Sequence, residues 1–450
     1  MWFRDLRRFF FEESEALAAF TRQAAGLDDG ATATGDEESE QKEDDDSSSD
    51  EETTNFPGSR DPEPQSSRLA LAETAMTGGR QPPHHHGFLS ILTSCCRCLA
   101  GCCMLCYVIC PPVPSCIVRK LAFKPPKRGR SYKLVVTTKN GERKFVKTAR
   151  AAAMYPKVEI HAILFDHLPP HQGPEAAHPK PAPVEGFIVH SKSGNHLVCA
   201  VYRTKHSTAA SKRLFANKVA LFAQPNSSDL GGFMQPFLPA SFPNLAVSIG
   251  VDIYAFDYSG YGRSMGTPGE RNMYNDIASV YEAVRKREGP DTQIILIGYS
   301  IGTAAVVDLA SQNPPQMVGV VLIAPFASGL RLMGGNPRQD PSSRLDCLTS
   351  CDKISKVDVP VLICTGTRDQ VTPMNHGQVL YERCKHKIDP LIVDGATHVS
   401  ILNGRHYMVQ LAIRFFIATD QHPTTSSVHD ILHDAANSPI RTSADSTNNS

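Results

Sequence analysis

Residues 292–309 read TQIILIGYSIGTAAVVDL, and this stretch decides the fold. Four apolar residues, Ile294 to Ile297, have the composition of a buried strand. Gly298, Ser300 and Gly302 follow in the pattern G-x-S-x-G, and an alanine- and valine-rich helical run begins at once. Strand, sharp turn and helix form the context of a nucleophile elbow, in which a serine hydroxyl is lifted above the end of a sheet. The glycines allow a turn without a Cβ clash. The helix start aims its first amides at the same point.

Working outward, apolar strands alternate with helical stretches. Strands are expected at 218–223, 251–256, 318–323, 360–365 and 390–393, and helices at 270–287, 376–384 and 407–417. Such alternation implies an α/β domain, a mostly parallel sheet covered by helices on both faces. Sites in such sheets lie at the carboxyl ends of strands. Ser300, Asp369 and His398 each fall just past an expected strand end, in the chain order Ser, Asp, His of an α/β-hydrolase. Upstream, 186–190 and 196–202 read as two strands around a Ser193-Gly194-Asn195 turn. Ser131 to Thr137 is a further strand, and 231–251 is expected to be helical. Residues 325–357 are loop-rich, with room for only a small cap.

The 46 Lys and Arg balance the 46 Asp and Glu, so nucleic acid is not an expected partner. The layout is uneven. Residues 1–87 form an acidic extension, expected to be disordered, with a candidate amphipathic helix over 2–26. Within it, GDEESEQKEDDDSSSDEETT at 35–54 has too little apolar surface to fold. No secretory signal is read at the N-terminus, so the cysteines of the core are expected to be reduced. Residues 131–418 carry the hydrolase domain, with an irregular insert over about 139–183. Residues 419–450 form a polar tail.

Residues 88–127 crowd eight of the 13 cysteines into an apolar segment. Three readings stand. A zinc site would want paired cysteines in polar surroundings, but these sit among Leu, Met, Val and Ile. A span from Phe88 to Cys110 is just long enough, but Arg97 lies inside it and Pro111-Pro112 close it. S-acylation at Cys95, Cys96, Cys98, Cys102, Cys103, Cys106 and Cys110 would supply the two or more lipid signals that a stable anchor needs. Lys120, Lys124, Lys127, Arg128 and Arg130 follow and suit an anionic membrane face.

These residues resemble the α/β-hydrolase domain-containing protein 17 family of membrane-associated depalmitoylases, over roughly 88–418. The likeness rests on the cysteine-rich segment running into Leu121-Ala122-Phe123 and Pro125-Pro126. It continues through the Ser193-Gly194-Asn195 hairpin, Asp257 to Gly262, Ser300-Ile301-Gly302-Thr303, Asp352 to Val357 and His398. It implies a serine hydrolase that removes palmitate from S-acylated cysteines of membrane-associated proteins, with a Ser300–His398–Asp369 triad and the Ile301 and Asn226 amides as oxyanion hole. It implies no cofactor or metal. The cysteine-rich segment is then itself palmitoylated and binds membrane lipid. The expected location is the cytoplasmic face of the plasma membrane and endosomal membranes.

Three positions depart from the family pattern. Gln224-Pro225 stands where the family has His-Gly before the oxyanion Asn. Thr397-His398-Val399 stands for Gly-His-Asn, and Tyr299 for a Gln. One lost oxyanion donor costs about 10²–10³ in rate. A weak or inactive adaptor with the same fold is therefore one alternative, and a small-molecule lipase or esterase is another.

Overall fold

The computed structural model describes residues 114–164, 181–204, 215–235, 238–402 and 406–418. The acidic extension, the cysteines proposed for acylation and the tail lie outside these residues. No described helix is long and apolar enough to cross a membrane.

One sheet of eleven strands organises the described chain. Its order is β11-β10-β9-β8-β6-β7-β5-β4-β3-β1-β2. The strands are β1 (Tyr132–Thr137), β2 (Arg143–Val146), β3 (Lys157–Ala162), β4 (Val184–His190), β5 (His196–Tyr202) and β6 (Lys218–Ala223). They continue as β7 (Asp252–Phe256), β8 (Gln293–Tyr299), β9 (Met317–Ile323), β10 (Val361–Gly366) and β11 (Leu391–Val393). The expected strand–helix alternation describes only β6 to β11, which pair in parallel. Strands β1 to β5 pair antiparallel, and β5 joins the two halves by running antiparallel to β7. The sheet is thus mixed rather than mostly parallel. The physical reason is connection length: parallel neighbours need a crossover of a dozen or more residues, whereas hairpins do not. Only the five residues Ser191 to Asn195 separate His190 from His196, which face each other, so the connection can only be a hairpin.

Two further expectations change. The stretch 139–183 is not irregular throughout, because β2, a short helix α2 (Ala149–Ala152) and β3 occupy 143–162. Val158 and Ile160 from β3 and Ala149 and Ala152 from α2 are buried in the core. Polar neighbours at alternate positions obscured that pattern. Residues 231–251 are helical only in part: a 3₁₀ turn at Gly232–Met234, then α3 (Phe242–Ile249). Pro243 opens α3, and Gly250 closes it in a left-handed conformation at φ 83°.

Strand β8 is central and buried on both faces. Ile295 and Ile297 join one apolar layer, Ile294 and Leu296 the other. Helices α3 and α9 (Met408–Ala418) cover the first face through Phe242, Leu245, Ile413 and Phe416. Helices α4 (Glu270–Glu288), α5 (Ile301–Ala310) and α8 (Met374–Arg383) cover the second through Ile277, Val280, Ala305 and Leu380. Both layers exclude water, so burial of aliphatic side chains, roughly 25 cal/mol per Å² of apolar area, drives the assembly. Between β9 and β10 run two short helices, α6 (Gly329–Leu332) and α7 (Ser350–Lys353), a 3₁₀ turn at Ile354–Lys356 and otherwise loop. Upstream of β1, helix α1 (Pro114–Ala122) leads into Phe123, which is buried in the second layer. All five core cysteines, Cys199, Cys347, Cys351, Cys364 and Cys384, are free thiols.

Candidate active site

The chain leaves β6 toward β7 on one side, then crosses back to β8 on the other. Connections diverge at this pair of strands, so a crevice opens at their carboxyl ends. Asn226 follows β6 and Ser300 follows β8 at that crevice.

Ser300 sits at φ 52° and ψ −120°, a conformation that side chains other than glycine rarely adopt. Such strain persists only where the surroundings impose it. Here the Ser300 amide donates to the Ile323 carbonyl at 3.0 Å, and the Thr303 hydroxyl donates to the Ser300 carbonyl at 2.6 Å. The two motif glycines follow from close approach. A Cβ on Gly302 would lie 2.1 Å from the Ala223 carbonyl oxygen, and one on Gly298 2.7 Å from Thr303 Cα. Helix α5 therefore starts directly against the end of β6. The Ile301 amide lies in the first turn of α5, where no intrahelical carbonyl serves it. The Asn226 amide lies in the adjoining loop.

The structure brings the three expected side chains together. The Ser300 hydroxyl lies 2.9 Å from His398 Nε2, and His398 Nδ1 lies 2.8 Å from Asp369 Oδ2. All three residues are buried. A carboxylate only accepts, so Nδ1 carries the proton and Nε2 accepts from the serine. This arrangement can draw a proton from Ser300 and stabilise the imidazolium that results.

The sequence reading missed Thr372. Its hydroxyl lies 2.8 Å from Asp369 Oδ2, 3.1 Å from His398 Nδ1 and 3.2 Å from the Ala324 carbonyl. The Val371 and Thr372 amides both donate to Asp369 Oδ1, at 2.9 and 2.8 Å. Asp369 is thus held by its own following turn, and the D-x-x-T spacing was the available signal. Thr372→Val keeps the shape but removes the hydroxyl. It should lower kcat about tenfold, the scale of one hydrogen bond to a charged group, with KM little changed; steady-state kinetics on an ester substrate checks this.

The departures at Tyr299 and Thr397 have local partners. The Tyr299 hydroxyl donates to the His398 carbonyl at 2.5 Å, and its ring lies 5.8 Å from the imidazole. Thr397 and Ser400 bond reciprocally: the Thr397 amide donates to Ser400 Oγ at 2.9 Å, the Ser400 amide to Thr397 Oγ1 at 3.2 Å. This pair caps the 3₁₀ turn Ser400–Leu402 and fixes the loop that carries the histidine.

The Gln224-Pro225 departure is likewise built in. The Gln224 carboxamide turns inward, donating to the Phe256 carbonyl at 2.6 Å and to Asp257 Oδ1 at 3.1 Å. The Tyr258 hydroxyl holds the Gln224 carbonyl at 2.8 Å, and Ser228 holds that of Pro225 at 3.0 Å. Asp257 also accepts from the Leu230 amide at 2.9 Å and from the Tyr132 hydroxyl. Burial first, and the neighbouring Asp229 carboxyl second, push Asp257 from 3.8 up to about 7. A carboxyl raised in this way stabilises the fold fully below about pH 4, and that contribution is lost as pH rises through about 7. His376 is held down near 4 by burial, so it acts in the opposite sense between about pH 4 and its ordinary 6.5. Comparison with Asp257→Asn isolates the carboxyl. The wild-type denaturant midpoint should fall relative to that of the variant between pH 4 and 8, as urea unfolding will measure.

An apolar cavity of about 300 Å³ opens onto Ser300. Phe326, Leu332, Met333 and Leu348 line it beside Val118 and Leu121 of α1. Its rim includes Leu330 and Leu345, the latter 69% exposed. Among the described residues, no cluster of His, Cys, Asp and Glu could hold a metal.

A family model described as serine aminopeptidase, S33, matches residues 244–337. Alpha/beta hydrolase domain-containing protein 17B of Xenopus laevis is 33% identical over 311 residues, covering 69% of this chain and 93% of the relative. The Homo sapiens 17B protein is 33% identical over 312 residues with the same coverage, and Xenopus laevis 17C is 35% identical over 68% of this chain and 92% of its own. Among solved structures, a putative hydrolase from Agrobacterium vitis S4 aligns at 18% identity and a TM-score of 0.40, over 53% of this chain and 100% of that one. On the curated relatives, whose length it nearly spans, this chain belongs to the alpha/beta hydrolase domain-containing protein 17 family of α/β-fold hydrolases.

Proposed function

We propose that the chain is a serine thioesterase that removes long acyl chains, palmitate above all, from cysteines of membrane-associated proteins. The observation that carries this reading is a Ser300–His398–Asp369 relay at the foot of an apolar cavity. In the first half-reaction Ser300 Oγ attacks the thioester carbonyl while His398 Nε2 takes its proton. The tetrahedral oxyanion is received by the Ile301 and Asn226 amides. The C–S bond breaks, the cysteine leaves with the proton from His398, and the acyl chain remains on Ser300. In the second half-reaction His398 deprotonates a water that attacks the acyl ester, and the fatty acid leaves. Asp369 orients the imidazole and stabilises its cation throughout.

An acyl-glycerol lipase would share the triad and the cavity. Turnover of a palmitoylated peptide thioester against a monoacylglycerol separates the two. Preference for the thioester supports this proposal, and preference for the glycerol ester refutes it. We further propose that acylation of Cys95, Cys96, Cys98, Cys102, Cys103, Cys106 and Cys110 holds the chain at a cytoplasmic membrane face, its substrates being S-palmitoylated proteins there. Hydroxylamine cleaves thioesters and should then release it from membrane fractions. Retention after complete deacylation would favour the spanning reading.

A further inference from the structure

Helix α1 meets the oxyanion loop through one side chain. Asn226 Nδ2 donates to the Ala122 carbonyl at 2.8 Å, the last residue of α1. Asn226 Oδ1 accepts from the Lys124 amide at 3.0 Å, just past the helix, and from the Tyr261 hydroxyl at 2.7 Å. The Lys124 amide also reaches the Tyr261 hydroxyl at 3.2 Å. Three of these bonds join positions more than 100 residues apart, and all lie in a buried or half-buried setting, where an unmade bond costs about 1–3 kcal/mol. They fix the end of α1 relative to the residue proposed above as an oxyanion donor, which lines the same cavity as Ser300.

The other end of the argument is the cavity. Val118, Leu121 and Ala122 are spaced i, i+3 and i+4, so they share one helical face. That face lines the same cavity as Asn226, Ser300 and Ile301. Val118 and Ala122 also pack on the second apolar layer, beside buried Phe123.

We propose that α1 is a wall of the acyl site whose position is transmitted to the oxyanion amide by the Asn226 carboxamide and the Tyr261 hydroxyl. An acyl chain long enough to press against Val118 and Leu121 seats α1 and thereby sets the donor at Asn226. A short chain leaves that wall unloaded. The interaction therefore acts on rate as well as on binding, and it makes long chains better reactants and not merely tighter ligands. This rests on the serine-hydrolase reading above.

The test uses the full chain with two inhibitors that react at Ser300, an ethyl and a hexadecyl fluorophosphonate. Wild type should show a larger maximal inactivation rate with the hexadecyl probe. Tyr261→Phe should lower the long-to-short ratio of maximal rates about tenfold, the scale of one hydrogen bond. Leu121→Ala should lower it as well, and the double variant should fall no further than either single one, the mark of coupled positions. Additive losses would overturn the proposal, as would equal losses with both probes. If Tyr261→Phe fails to fold, Leu121→Ala decides alone. A wall that only binds would change the half-saturating concentration of the hexadecyl probe and leave its maximal rate intact, which refutes the coupling. Failure of wild type to react with either probe ends the serine-hydrolase reading itself and this inference with it, a result distinct from reaction without chain-length coupling.

Discussion

Ser300→Ala should abolish covalent labelling by a fluorophosphonate and lower kcat on any acyl substrate by about 10⁶, the loss seen when a triad nucleophile is removed. The fold should survive. The serine is not a stabilising residue: it holds a strained backbone at φ 52°, and alanine adopts that conformation no worse. The backbone bonds from Ser300 to Ile323 and from Thr303 to Ser300 use main-chain atoms or the Thr303 side chain, and both remain. The control is thermal unfolding, which should shift by no more than a few degrees. Equal labelling of wild type and variant would show that the reactive group lies elsewhere, and the reading of the elbow would fall.

Asp369→Asn should leave the geometry in place and lower kcat by about 10⁴. Asparagine presents an N–H₂ as well as an oxygen. Asp369 Oδ1 accepts two main-chain amides, from Val371 and Thr372, so the substituted amide's oxygen is claimed by that turn. Its N–H₂ is then directed at His398 Nδ1, which must accept. The imidazole proton moves to Nε2, facing Ser300, and Nε2 can no longer take the hydroxyl proton. Binding should change little, since Asp369 does not line the cavity. A variant that keeps full kcat would exclude His398 as the base held by this carboxylate. The two losses should also be far from additive, because both substitutions disable one relay.

The long helices α4, α5, α8 and α9 and most strands were legible from local pattern. Strand β8 begins and ends within two residues of the apolar run that announced it, and β6 coincides with its expected span. Ser300, Asp369 and His398 were found because each follows an apolar strand, and sites gather at such ends. Less was legible where the pattern was weak. Strand β3, KVEIHA, alternates polar and apolar side chains with only Val158 and Ile160 fully buried, and it lay beside Pro- and His-rich sequence. Thr372 escaped notice for a different reason. Its turn is local, but its contact with His398 spans 26 residues and depends on where two separate loops end.

What the sequence determined by itself was the set of elements and the chemistry of each loop. Periodicity and glycine placement act over a few residues and need no knowledge of the partner strand. Only the tertiary structure decided which strands pair, hence that β5 turns the sheet from parallel to antiparallel, and that Gln224 faces the core while Asn226 grips α1. Those outcomes come from closing long loops and burying both faces of one sheet together. No short window of sequence contains the groups that meet.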